Sequence, residues 1–285
     1  MIKVNDLSYK YSTNSKLTLK GISFKIDKGE IFGFLGPSGA GKSTTQKILF
    51  GLLKNYLGSV SLMGKEISEW DSTIYEKIGV SFELPNHYMN LTAKENLDYF
   101  SSLYSVECNN TLDVLSWVGL MEDGDKKIKN FSKGMKIRLN VARSILHKPK
   151  ILFLDEPTSG LDPVNARMIK DLILRLRDEG ATIFVTTHNM SVADELCNQV
   201  AFITDGEVRL IDSPEALKKS YGKRNITVSF KKGKEIMKKE FPIEGLGINK
   251  VFIDLLNSGN EIESIHSQET TLEDIFIRVT GEELV

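Results

Sequence analysis

Nine consecutive residues constrain this chain more than any others: Gly36-Pro37-Ser38-Gly39-Ala40-Gly41-Lys42-Ser43-Thr44, set between the apolar run Ile31 to Leu35 and the helical pattern TQKILFGLL. A buried strand that runs into a glycine-rich turn and then a helix is the context of a phosphate-binding loop. Glycines let backbone N–H groups converge on phosphate oxygens, and the N-terminus of the following helix adds its dipole. At this spacing Lys42 reaches the β and γ phosphates, and Ser43 offers a hydroxyl to Mg²⁺. The expectation is an ATP site on residues 36 to 44.

A second apolar run, Ile151 to Leu154, ends in Asp155-Glu156. Buried strands of an α/β sheet deliver their functional groups at their C-terminal ends. There Asp155 would hold Mg²⁺ through water and Glu156 would polarise the attacking water, because phosphoryl transfer needs positioning and charge stabilisation more than covalent chemistry. Acids in this place are also of the type that caps a following helix.

The rest of the chain sorts by periodicity. Alternation over Ile2 and Val4, then Ile22, Phe24 and Ile26, predicts an antiparallel layer, while Ile31 to Leu35, Ile151 to Leu154 and Ile183 to Thr187 read as strands buried on both faces. Between the first two buried runs, helical spacing appears at Leu97, Phe100, Leu103 and Tyr104, at Leu112, Leu115 and Val118, and at Ile137, Val141 and Ile145. Residues of about 84 to 145 are therefore expected to form an inserted helical subdomain. Around 221 to 234 the sequence turns basic and loses its large apolar runs, which marks a boundary before a C-terminal module. In that module Thr270 and Glu273 have capping-box spacing ahead of a helical face of Leu272, Ile275, Phe276 and Val279. The lysines at 231, 232, 234, 238 and 239 read as a solvated face.

Composition leaves the partner open. With 285 residues, 41% hydrophobic and 26% charged, the chain can bury a full core without staples, and its net charge of -1 gives no reason to expect nucleic acid as a partner. Cys108 and Cys197 lie far apart with no metal-ligand spacing, which fits a reducing cytoplasm. No apolar stretch approaches the roughly 20 residues that span a bilayer, so a membrane, if one matters, is supplied by another chain.

At this point the residues resemble the nucleotide-binding subunit of an ATP-binding-cassette (ABC) transporter, over nearly all of residues 1 to 220 and in the correct order. Where that family has Leu-Ser-Gly-Gly-Gln ahead of the second acidic strand, this chain has Phe131-Ser132-Lys133-Gly134-Met135, matching at Ser132 and Gly134. The resemblance implies that this signature, Ser132 to Met135, contacts the γ-phosphate of ATP held by a second subunit. Ser159-Gly160-Leu161-Asp162 looks like the loop that couples two sites, with Asp162 facing the other subunit. His188 looks like the switch histidine, hydrogen-bonding the γ-phosphate, and Tyr11 sits where an aromatic stacks on adenine, with Tyr9 two residues away. Glu83 stands where the family usually has glutamine; it is expected to keep the metal role and to alter coupling to the membrane partner.

The implied fold is α/β: a P-loop NTPase core with an antiparallel β subdomain and an inserted helical subdomain over residues 1–220, plus a small α+β module over 221–285. The implied function is an ATP-hydrolysing subunit, with ATP and Mg²⁺, that pairs with a second nucleotide-binding subunit, in a homo- or heterodimer, and powers separate transmembrane permease subunits from the cytoplasmic face of the membrane. The segment Ser-Lys-Gly-Met, the opening GEIFGFLGPSGAGKST and the tail TLEDIFIRVTGEE resemble ABC-2 subunits, which mostly serve export. The other reading within the class is a soluble ATPase that remodels a ribosome or nucleic-acid complex. Ribosome-acting relatives usually carry two cassettes, and DNA-repair relatives a long coiled coil; this chain has neither. A P-loop kinase would leave residues 131 to 135 and His188 without a role.

Overall fold

The computed structural model describes residues 1–12, 15–222, 225–232, 235–268 and 270–281. They divide into two compact units, one spanning Met1–Pro214 and a second that begins at Glu215.

In the first unit β1 (Ile2–Tyr9) pairs antiparallel with β2 (Leu19–Ile26), and the alternation buries Ile2, Val4, Ile22, Phe24 and Ile26 as expected. Next, β3 (Ile31–Leu35), buried at every residue, delivers the chain to α1 (Lys42–Leu49). β4 (Leu57–Leu62) and the short β5 (Lys65–Glu66) complete a four-stranded sheet in the order β2-β1-β4-β5. After β6 (Ile78–Ser81) come three helices, α2 (Ala93–Ser101), α3 (Thr111–Trp117) and α4 (Lys133–Ser144). Strands and helices then alternate through β7 (Ile151–Asp155), α5 (Pro163–Asp178), β8 (Thr182–Thr187), α6 (Met190–Leu196) and β9 (Gln199–Thr204), and β10 (Glu207–Asp212) turns back on β9.

The second sheet has the order β10-β9-β3-β8-β7-β6 and is parallel from β9 to β6. Its strands need apolar residues on both faces because both are covered. The β1–β2 layer closes one face: Phe24 lies 5.3 Å from Phe32 and 5.5 Å from Phe34, ring centre to ring centre. Register fixes where the loops emerge. Leu35 pairs with Thr187 and Asp155 with Thr186, so the residues that follow, Gly36, His188 and Glu156, leave the sheet side by side.

The helical insert departs from the expected periodicity in two places. Leu97, Leu115, Val118, Ile137, Val141 and Ile145 are buried, but Leu103 and Leu112 are exposed. Leu103 falls beyond the end of α2, where helical period no longer decides direction, and Leu112 sits in the first turn of the short α3, whose buried side is Thr111, Val114 and Leu115.

The helix α7 (Pro214–Tyr221) begins at the division. In the second unit β11 (Asn225–Lys232), β12 (Glu235–Pro242), α8 (Lys250–Asn257), β13 (Glu261–Gln268) and α9 (Leu272–Thr280) follow, with an antiparallel sheet in the order β12-β11-β13. Ile226, Val228, Phe230 and Phe241 form its core, with Phe252 and Leu255 of α8 against them. The capping box of α9 is one residue later than its spacing suggested: Thr271 is the N-cap and Asp274 the reciprocal partner, in place of Thr270 and Glu273. Asp serves here because its shorter carboxylate still reaches the N-cap N–H, at 2.9 Å. Of the lysine face, Lys231 pairs with Glu261 at 3.2 Å, Lys238 and Lys239 are exposed, and Lys234 lies outside the described residues. Among the described residues no helix is long and apolar enough to cross a membrane.

Candidate functional site

The loop from Gly36 to Gly41 wraps the N-terminus of α1, with Ala40 and Gly41 buried beneath it and Ser38 and Gly39 exposed at its crest. A side chain at Gly36 is excluded, since a Cβ there would lie 2.0 Å from the Ile203 carbonyl of β9. Lys42 folds back over the loop and donates from Nζ to the Gly36 and Pro37 carbonyls, at 2.6 and 2.9 Å. Burial pushes its ammonium pKa below the usual lysine range, against the pull of Glu156, Asp155 and Glu83.

Asp155, at the end of β7, is buried. Thr186 of β8 donates to its Oδ1, and the Ser43 hydroxyl approaches its Oδ2 at 3.4 Å. Burial raises its pKa above the usual aspartate value, the Thr186 bond opposes that, and the nearby Glu83 carboxylate adds to the rise.

Glu156 follows with φ of 48°, a left-handed backbone that is uncommon for a residue of its size. Its Oε1 receives the His188 backbone N–H at 2.8 Å and lies 2.7 Å from His188 Nδ1, while Thr187 Oγ1 donates to Oε2 at 3.0 Å. Its side chain is 9% exposed and the His188 ring 55%. Neither Asp155 nor Glu156 caps the next helix. That role falls to Asp162, whose Oδ1 accepts from the N–H groups of Val164 and Asn165, both at 3.1 Å; the Asn165 side-chain amide, donating to Oδ2, holds its pKa down, and the backbone bonds add to that.

One cleft gathers Ser38, Gly39, Gly41, Lys42, Ser43, Thr44, Glu83, Asp155, Glu156 and His188. Tyr11 stands beside it, its hydroxyl 3.2 Å from Thr44 Oγ1 and its ring edge-on to Tyr9. The signature residues do not line this cleft. Ser132 caps α4, accepting from the Met135 N–H at 3.2 Å, and Ser132 and Lys133 are exposed. Gly134 packs against Leu161 and Gly160, so the α4 N-terminus and the loop ending in Asp162 form a second cluster.

Three supporting residues escaped the sequence reading. Gln46, buried on α1, donates to the Leu154 carbonyl at 3.3 Å, and Thr186 and Thr187 orient the two acids. The only hint was a pair of threonines at the end of an otherwise apolar strand.

The cleft places three carboxylates, Glu83, Asp155 and Glu156, around one lysine, next to a glycine loop open at its crest. An excess of carboxylates over lysine of this kind suits a hard cation carried by an anionic substrate, and a backbone cradle suits its phosphates. Comparison with known proteins agrees. The family model for the ABC transporter matches residues 19–159, and that for the fluoroquinolone efflux ABC transporter C-terminal domain matches 224–269. A fluoroquinolones export ATP-binding protein of Mycobacterium tuberculosis is 47% identical over 285 residues, covering 100% of this chain and 94% of its own. The bacitracin transport ATP-binding protein of Bacillus licheniformis is 33% identical, covering 99% of this chain and 97% of its own. Among solved structures, a dimeric ATP-binding cassette in a post-hydrolysis state with ADP and Pi is 28% identical with a TM-score of 0.69, over 75% of this chain and 98% of that one. With its P-loop, its acidic strand end and relatives matched along its whole length, this chain belongs to the ABC transporter family, as one of its ATP-hydrolysing, ATP-binding subunits.

Proposed function

We propose that two copies of this cassette close around two ATP molecules and that closure drives export through a separate permease at the cytoplasmic face of the membrane. The observation that carries this is the division of the site residues into a phosphate cleft and a separate signature cluster that does not line it. In this reading the loop from Gly36 to Thr44 grips the phosphates, and Tyr11 stacks on adenine. Ser43, Asp155 and Glu83 hold Mg²⁺, as buried or acidic oxygen donors beside phosphate do. When bound, that ion neutralises charge on the phosphate oxygens.

Glu156 orients and polarises the attacking water. His188 keeps the Glu156 carboxylate aimed and hydrogen-bonds the γ-phosphate, for which its half-exposed ring has room. Lys42 leaves the Gly36 and Pro37 carbonyls for the phosphates, relieving the cost of its burial. Ser132, Lys133, Gly134 and Met135 serve the ATP of the partner subunit, where the α4 N-terminus meets phosphate, and Asp162 holds the loop between the sites.

The permease has a surface to meet. A groove of about 960 Å³ next to Glu83 is lined by Leu52, Tyr75, Phe82, Leu84, Tyr88 and Phe100, and Leu84 is 79% exposed. Apolar exposure of that kind marks an interaction site, and a cytoplasmic segment of the permease suits one that opens onto Ser43 and Asp155. The cassette is taken as residues 1–220, with 84–145 as its helical part, and 221–285 as an accessory module; the separate compact unit and the separate family match support that division. The relatives named for export of fluoroquinolones suggest drug-like cargo.

The test is Glu156→Gln, which should bind ATP without turning it over and run as an ATP-dependent dimer on size exclusion. A persistent monomer with undiminished turnover would sink the paired-site reading.

A further inference from the structure

Helix α4 carries Ser132 at its N-cap and, eight residues on, Asn140, which is 1% exposed. Both donor hydrogens of this amide and one lone pair of its oxygen are committed. Nδ2 donates to Ser81 Oγ at 3.0 Å and to the Phe82 carbonyl at 2.7 Å, and Oδ1 accepts from Arg143 Nη2 at 2.8 Å. Arg143 extends the grip: its Nη1 donates to the Asn86 carbonyl at 2.6 Å, and its guanidinium lies 4.7 Å from the Phe100 ring centre. One turn nearer the N-terminus, the Lys136 carbonyl meets His87 Nε2 at 3.0 Å.

The residues gripped are 81, 82, 86 and 87, and they bracket Glu83. From Phe82 to Met89 the chain has no helix or strand of its own; α4 holds it at Phe82, Asn86 and His87, next to the bond on Ser81 at the end of β6, and Asn96 of α2 holds it at Tyr88, so these side-chain bonds set the position of the backbone that presents Glu83. A helix is stiff, and at 1.5 Å per residue about 12 Å of it separates Asn140 from Ser132. A shift of Glu83 toward or away from its own nucleotide is therefore delivered to Ser132 with little loss.

We infer that Asn140 and Arg143 are positioning residues that tie a chain's own nucleotide site, through Glu83, to the serine it lends to its partner, and so set the cooperativity between the two ATP sites. This rests on the reading above, in which Glu83 and Ser132 serve different ATP molecules. The grip on both sides of Glu83 satisfies the Phe82 and Asn86 carbonyls, as a purely stabilising clamp would; what coupling adds is an element whose position both sites bias, and α4 joins the two here.

The experiment is steady-state ATP hydrolysis by the purified full-length chain across ATP concentration, with Mg²⁺ in excess. The wild type should give a Hill coefficient of about 1.5 or more, and Asn140→Leu and Arg143→Met values near 1, with maximal rates within about threefold. Leu keeps the volume of Asn140, and Met keeps the apolar stem of Arg143 while removing its bonds and its guanidinium contact with Phe100, so Arg143→Met carries the test if Asn140→Leu does not fold. A merely structural clamp would lower the thermal midpoint and leave the Hill coefficient alone, and that result overturns the inference, as does a wild-type coefficient of 1. Glu156→Gln separates the two layers. If it dimerises on ATP while the clamp variants keep the wild-type coefficient, the clamp inference fails alone; if it stays monomeric, the paired-site reading has failed.

Discussion

Glu156 is held by three donors from two adjacent residues, on a backbone conformation that costs a non-glycine residue of order 1–3 kcal/mol. The sheet maintains that strain because β8 supplies Thr187 and His188 in a fixed place, and the return is a carboxylate that cannot swing away from the cleft. Thr187→Val removes one donor without changing side-chain shape, so kcat should fall about tenfold while the KM for ATP stays unchanged. A kcat equal to wild type would show that Thr187 does not aim Glu156. His87 makes a different kind of statement. Burial, against the bond to the Lys136 carbonyl, pushes its pKa down to about 4 from 6.5. The unfolded chain then takes up a proton that the folded chain refuses, so the contribution of His87 is complete above pH 6.5 and is lost as pH falls toward 4. Between pH 7 and pH 5 this costs about 2 kcal/mol, and urea unfolding should show it. His147 is shifted in the same direction, so the measurement is the part of the pH 7 to pH 5 difference that His87→Gln removes.

Among elements, the contact between β6 and α4 decides whether the clamp exists. Gly79 lies so close to α4 that a Cβ there would stand 2.0 Å from the Ser144 carbonyl. Gly79→Ala should force the strand off the helix and destabilise the fold by about 3 kcal/mol or more, read as a lowered denaturant midpoint. An unchanged midpoint would mean that the backbone shifts at little cost. This contact also marks the limit of what the sequence disclosed. The strand, loop and helix from Ile31 to Leu49 were legible because their chemistry is local: the phosphate site is written in consecutive residues, and the buried strand end at Asp155-Glu156 likewise. Gln46, Thr186, Thr187 and Asn140 were not, because each acts on a residue more than 30 positions away, and for Thr186 and Thr187 the partner depends on β7 lying beside β8. The capping box of α9 was placed one residue early because Thr270-Thr271 and Glu273-Asp274 offer two registers, and only the helix start chooses between them.

At the scale of the whole molecule, the phosphate cleft and the signature cluster are separate places on one unit, and under the paired-site proposal a single copy presents a socket and a plug that it does not join. A two-fold axis resolves this, because an isologous pairing places the plug of each copy in the socket of the other and makes two identical composite sites. Mixing variants tests that geometry without any structure of the dimer. Lys42→Ala destroys the socket and spares the signature; Ser132→Ala does the reverse. Each alone should be nearly inactive, since every site in its homodimer lacks one half. In a 1:1 mixture half of the dimers are mixed, and each mixed dimer has one site with both halves intact, so about a quarter of the wild-type rate should return if the sites turn over independently. A mixture that shows only the average of its two inactive components would mean either that Lys42 and Ser132 do not meet on one nucleotide across the dimer or that an intact site cannot turn over beside a broken one. Lys42→Ala mixed with wild type separates the two, because each mixed dimer then holds one intact site in either geometry, and activity above the wild-type homodimer share shows that such a site turns over beside a broken one.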